Sequence, residues 1–214
     1  MNSMKYKNGY PILLGVISLI VFGLIVSNGI QALFIVMDWP ASNFLLSSPL
    51  LLCIFVGLVQ GICEEVGYYY VFSHQLKNWN GWKTPLLFGL GRSGLHLIFD
   101  ISIIISIGYS TNQLIVALCI VFLSTIALFG LTIIDYTASR IHRLKWLCGL
   151  SIVIHAIFNG VLYAMEIDYI SAGINGSNVF KVCISIIVIA IALIIYKKIN
   201  LDDYEKSVNS GFKA

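Results

Sequence analysis

The sequence predicts an all-α polytopic membrane bundle of about six transmembrane helices, with both termini on the cytoplasmic side. Three observations predict it. Hydrophobic residues make up 58% of the 214 residues and charged residues 11%, under half the roughly 25% that an ordinary soluble domain carries. The apolar residues gather into six segments, each long enough to cross ~30 Å of hydrocarbon. The basic residues sort between alternate connections. The composition excludes a soluble cytosolic enzyme, a disordered regulator and a nucleic-acid binder, and the net charge of +3 is too small to imply an acidic partner.

The first segment, 10–36, follows Lys5 and Lys7. It is too long for the apolar part of a signal peptide, and no A-x-A-like site follows it, so it reads as a retained span. The second runs over 49–72 and the third over 85–107. The fourth runs over 114–134, the fifth over 146–165 and the sixth over 179–196. A polar tail occupies 200–214. The whole chain, 1–214, reads as one integral membrane domain. Its core bundle covers about 49–165, with 10–36 and 179–196 as flanking helices.

Lys77 and Lys83 lie between spans two and three, and Arg140, Arg143 and Lys145 between four and five. Lys197, Lys198, Lys206 and Lys213 follow span six. With Lys5 and Lys7 these are 11 of the 13 basic residues. The connections around Asp38, Tyr109 and Asp168 hold none, and the positive-inside rule then places both termini inside. Lys181 and Arg92 are the exceptions. Trp39 falls at the outer end of span one, and Trp79, Trp82 and Trp146 on the inner side, as interfacial anchors do. The five cysteines lie in apolar runs with no CxxC pair, which makes them small buried hydrophobes.

The informative residues break the apolar runs. Span two holds Gln60, Glu64 and Glu65; span three holds Arg92, His96 and Asp100; span five holds His155 and Asn159. A charge at a span centre costs about 2.5–3.5 kcal/mol, so these four charges must pair with one another. Counted from the inner ends at ~1.5 Å per residue, Glu64, His96 and His155 all fall roughly 13–17 Å deep. Three helices therefore bring acid, imidazole and amide groups to one level. His155 and Asn159 share a helix face; so do Gln60 and Glu64, and so do Arg92, His96 and Asp100. Taken singly, a buried His or Asn is usually a helix–helix hydrogen bonder. The set at one depth points to a site.

Gly89-Leu90-Gly91-Arg92-Ser93-Gly94 matches GxGxxG. No strand precedes it and the segment continues as an apolar span, so close helix packing is expected there, not a dinucleotide.

These residues resemble the CAAX protease and bacteriocin-processing (CPBP, or Abi) family, whose members carry EExxxR, FxxxH and HxxxN-type motifs on successive core helices. Here the motifs read Glu64-Glu65-Val66-Gly67-Tyr68-Tyr69, then Arg92-Ser93-Gly94-Leu95-His96, then His155-Ala156-Ile157-Phe158-Asn159. Tyr69 stands where the motif has Arg, and Arg92 where it has Phe. The expectation is that the cation has moved to the next helix and still neutralises Glu65.

The resemblance implies an intramembrane endopeptidase. In it Glu64 and His96 hold and activate a water, His155 and Asn159 stabilise the oxyanion, and Glu65 and Arg92 support them. It favours a metal-independent, glutamate-based reaction with no cofactor. The alternative is a zinc site built from Glu64, His96 and His155. The implied partner is a hydrophobic or membrane-associated peptide, a bacteriocin or pheromone precursor, reaching the site laterally or from the cytoplasmic side of a bacterial cell membrane. A rival is a non-catalytic relative that confers bacteriocin immunity by binding. A proton-relaying transporter is disfavoured, because no inverted halves or broken-helix pair is visible.

Overall fold

The computed structural model describes residues 9–37, 40–79, 81–107, 110–166 and 173–199. Among these residues the regular structure is entirely helical. Six helices are long and apolar enough to cross a membrane, Gly9–Val36, Pro49–His74, Lys83–Ser106, Thr111–Arg140, His142–Met165 and Gly176–Lys198. The chain is an integral, multi-pass membrane protein. Lys5, Lys7, Asp38, Trp39, Tyr109, Asp168 and the tail 200–214, with Lys206 and Lys213, lie outside the described residues.

The first span is one apolar rod in three parts. Helix α1 (Gly9–Ser18) passes into π-helical turns over Leu19–Val26 and returns to α geometry in α2 (Ser27–Val36). A seven-residue helix α3 (Pro40–Leu46) follows, then α4 (Pro49–His74). Ser48 starts α4, its Oγ accepting from the Leu51 amide at 3.5 Å, with Pro49 at the first helical position. Gly81 turns the chain with φ 78°, a conformation that favours glycine. Next come α5 (Lys83–Ile107), α6 (Thr111–Arg140), α7 (Trp146–Glu166) and α8 (Gly173–Lys198). At the start of α6 the Ser110 amide donates to Gln113 Oε1 at 3.2 Å.

Helices α4 and α7 make the most intimate pair, and glycines allow it. A Cβ on Gly57 would overlap the Ala156 carbonyl oxygen, and one on Gly61 would lie 2.8 Å from the Ile152 carbonyl oxygen. Helix α5 packs on α1 and α6, and α8 packs mainly on α6. Gly91 serves the α1–α5 contact, where a Cβ would overlap the Ile12 carbonyl oxygen. The GxGxxG stretch is therefore a packing surface.

One end of the bundle carries Lys77, Lys83, Arg140, Arg143, Lys145, Lys197 and Lys198. Arg140 ties it together, donating to the carbonyls of Lys77 (2.8 Å), Leu76 (2.5 Å) and Trp79 (2.8 Å). Tyr136 donates to the Trp79 carbonyl at 3.0 Å, and Trp82 packs on Tyr196. Large apolar side chains such as Ile98, Ile105 and Ile187 face outward, as lipid-facing positions do.

Four features depart from the sequence-based boundaries. The π turns and α3 are not visible as periodicity, α3 being too short to carry one. Helix α8 starts at Gly173, six residues earlier than 179. Helix α6 continues past residue 134 to Arg140, which draws Asp135 into the interior.

Candidate active site

The site forms where α4, α5 and α7 meet. Glu65 on α4 is fully buried and accepts three hydrogen bonds. Arg92 Nη2 on α5 donates at 2.8 Å, Ser151 Oγ on α7 donates at 3.1 Å, and the third donor is His155 Nδ1, one turn beyond Ser151. Glu64, its neighbour on α4, accepts from Tyr68 Oη at 2.9 Å and lies 3.6 Å from Arg92 Nη2. The Arg92 guanidinium sits 4.0 Å from the centre of the Tyr68 ring and reaches Thr132 Oγ1 at 3.5 Å. Gly23, in the π turns, closes over Glu64: a Cβ there would lie 3.2 Å from the Glu64 carboxyl.

The environment fixes the form of His155. Glu65 Oε1 takes bonds from Arg92 and from His155 Nδ1, so Glu65 acts as an acceptor and Nδ1 carries the hydrogen. In the neutral ring this leaves Nε2 without a hydrogen, 3.8 Å from Glu64 Oε1. A carboxylate that orients a histidine in this way also raises the basicity of its free nitrogen.

Ligand atoms of Glu64, Glu65 and His155 all lie within 4.8 Å of one another, so these three residues are able to hold a metal ion. The oxygens of Glu65 are already engaged by three donors, whereas Glu64 Oε1 and His155 Nε2 are open. His96 Nε2 is a further buried nitrogen without a hydrogen-bond partner. Two carboxylates and one imidazole nitrogen are a donor set that suits zinc, whereas His96, the third ligand of the set expected from the sequence, is not part of this group. The residues present fit such an ion.

Asp135 on α6 was not expected from the sequence. It is fully buried beside Glu65 and Arg92, and neither of its oxygens finds a donor.

A cavity of about 420 Å³ adjoins the cluster, bounded by α5, α6, α7 and α8. His96, His155 and Asn159 line its inner part, and Asp100, Asn178 and Lys181 its outer part. It extends away from the basic end of the bundle.

The structure thus brings Glu64, Glu65, Arg92 and His155 into one cluster, while His96 and Asn159 face the cavity next to His155. The Arg92–Glu65 pairing expected from the displaced cation is present at 2.8 Å. Tyr69, in the motif's Arg position, packs instead with the apolar cluster between α6 and α8. The first span, expected as a flank, lies against the site through Gly23. Sequence reasoning missed Asp135, Ser151, Tyr68 and Thr132. Only Asp135 left a signal, as a lone acid at the end of an apolar run. The others are residue types common in any span.

A family model described as YhfC intramembrane metalloprotease matches residues 4–118. The matched part contains Glu64, Glu65, Arg92 and His96, whereas Asp135, Ser151, His155 and Asn159 lie beyond it. No match was found among curated proteins or among solved structures.

Proposed function

From the chain's membership of the YhfC intramembrane metalloprotease family, we propose that this intramembrane protease hydrolyses peptide bonds at the Glu64–His155 cluster with a zinc-class ion held by Glu64, Glu65 and His155. The observation that carries this reading is the His155 ring. Glu65 occupies one of its nitrogens, and the other faces Glu64 Oε1 at 3.8 Å. A bound ion of this class polarises a peptide carbonyl and makes water a nucleophile near neutral pH.

The protein's own groups supply the rest. Glu65 fixes the His155 ring in the tautomer that leaves Nε2 free. Arg92 balances the charge of both carboxylates, and its place over the Tyr68 ring holds the guanidinium against α4. Asn159 Nδ2, buried and unpartnered one turn from His155, is a donor for the oxyanion of a tetrahedral intermediate. In a metal-independent reaction Glu64 would instead take the proton released by the attacking water. The substrate is a hydrophobic, membrane-associated peptide. The likeness of the three motifs to the CPBP family supports a secreted peptide such as a bacteriocin or pheromone precursor.

A metal-independent, glutamate-based reaction is the second reading. The observation in its favour is Arg92, which already places a cation beside both carboxylates. The family's description puts the metal reading first. Metal analysis of the purified protein, paired with cleavage of membrane peptides with and without a tight chelator, decides between them. The metal reading expects about one bound ion per chain, lost in His155→Ala, and cleavage abolished by chelation and restored by zinc. Full cleavage by metal-free protein overturns it. Bacteriocin resistance that survives Glu64→Ala, His96→Ala and His155→Ala, with no cleavage by any of them, selects the non-catalytic immunity protein instead.

A further inference from the structure

The cavity wall holds four buried polar atoms without partners, one from each bounding helix. They are His96 Nε2 on α5, Ser124 Oγ on α6, Asn159 Nδ2 on α7 and Ser185 Oγ on α8. Serine and threonine inside a helix ordinarily satisfy the hydroxyl on the carbonyl one turn back. Several elsewhere in this bundle do so, among them Ser102 on Ile98, Thr125 on Val121 and Thr137 on Ile133, each at 2.8 Å, while Ser42 and Ser93 do not. Nor do Ser124 and Ser185. The remainder of the wall is mostly aliphatic, so the lining is an apolar slot with hydrogen-bonding groups on all four sides.

Unpaired buried polar groups carry a cost that a suitable ligand removes. A helical peptide cannot be that ligand, since its amides are bonded internally. An unwound segment offers one donor and one acceptor at every residue. At the outer end Lys181 and Asp100 line the same cavity, yet no ion pair joins them among the described residues. The lysine there is the one Lys or Arg side chain of the lining, which also holds His96 and His155.

We propose that this cavity is the substrate-binding groove and takes an unwound peptide segment. Ser124 and Ser185 pair with its backbone, and Lys181 binds a carboxylate on the substrate at the end away from His155. This rests on the peptidase reading for the identity of the ligand. It adds one specificity feature, a carboxylate a few residues from the bond that is cut.

The test is a binding measurement on the full chain in lipid nanodiscs, made with the Glu64→Gln variant so that nothing is turned over. Three fluorescent nine-residue Leu/Ala peptides are the probes: one with a free C-terminal carboxylate, one with a C-terminal amide, and one amidated with an aspartate next to last. At least one carboxylate peptide is expected to bind about tenfold more tightly than the plain amide, as a charge-assisted hydrogen bond would give. A preference for the first peptide alone assigns a terminal carboxylate, and a preference for the third alone a side chain; tight binding of both means that either serves.

Lys181→Gln should erase the preference and leave the plain amide unchanged. Ser124→Ala with Ser185→Ala should weaken all three peptides about tenfold. Equal binding of the three peptides, a preference that survives Lys181→Gln, or unchanged binding to the double serine variant overturns the proposal. Because binding is read without turnover, a failure to cleave any peptide counts against the peptidase reading and leaves the groove result to stand or fall by itself.

Discussion

The network on Glu65 and the wall of the adjoining cavity share His155 but satisfy their polar atoms differently. Glu65 accepts from Arg92, Ser151 and His155, and Glu64 accepts from Tyr68. These partners come from the protein itself, on three helices. Across His155 the cavity presents Ser124, Ser185, His96 and Asn159 with no partner for the atoms that face it. In the first region Glu65 is satisfied when the chain folds, although Arg92 Nε and both oxygens of Asp135 beside it stay unpartnered. The second is left incomplete, which is what a site built for a polar ligand requires. Arg92 and Ser151, the donors that hold Glu65 without lining the cavity, should therefore govern folding, and the side chains that line the cavity should govern function.

Substitutions that separate stability from activity break or sharpen this division. Arg92→Leu should have the largest effect. It strands two buried carboxylates, and removing one partner of a buried pair costs about 3–5 kcal/mol. Denaturant titration in detergent should show that loss, and a stability unchanged within error would contradict the closed-network reading.

Asn159→Ala should lower turnover by about 10²–10³-fold, the usual cost of one oxyanion donor. Its unfolding midpoint should stay where it is, since the amide nitrogen it removes has no partner. Loss of stability in step with activity would move Asn159 into the structural class.

Ser151→Ala removes one of the three donors to Glu65, at a cost of about 1 kcal/mol. The unfolding curve is the readout, and a shift of that size with cleavage largely kept places Ser151 on the structural side. Ser185→Ala should change stability least, within about 0.5 kcal/mol, because it deletes an unsatisfied hydroxyl. A large destabilisation there would mean the cavity wall is already satisfied.

Much of this was legible in the sequence, for physical reasons that also mark its limits. Low charge and long apolar runs admit few structures other than membrane helices, so the six spans follow from composition. Glu64, Glu65, Arg92 and His155 were visible because a charge or imidazole in lipid must be compensated. Their depths follow from the rise of a helix. Which of them touch was not visible in general, since two helices of equal depth can present any pair of faces. Arg92 with Glu65 was the exception, suggested by the exchange of positions between Tyr69 and Arg92. Asp135 escaped because hydropathy falls away near residue 134 while the helix continues to Arg140. Ser151 and Tyr68 carry no charge and so no penalty that would draw attention. The π turns over Leu19–Val26 have no compositional mark, although they set Gly23 against Glu64.

The glycine contact between α4 and α7 has a mechanical consequence. With Gly57 and Gly61 pressed against the carbonyls of α7, and Glu65 bonded to two of its side chains, these helices behave as a single beam. Rotating α7 by one residue would turn His155 through about 100° and out of reach of Glu65. Helix α5 is lashed to the same beam by Arg92. Helix α8 is held mainly by α6 and only lightly by α7. The α7–α8 seam, on which Lys181 and Ser185 stand, is thus packed far less tightly than the α4–α7 contact that registers His155 on Glu65.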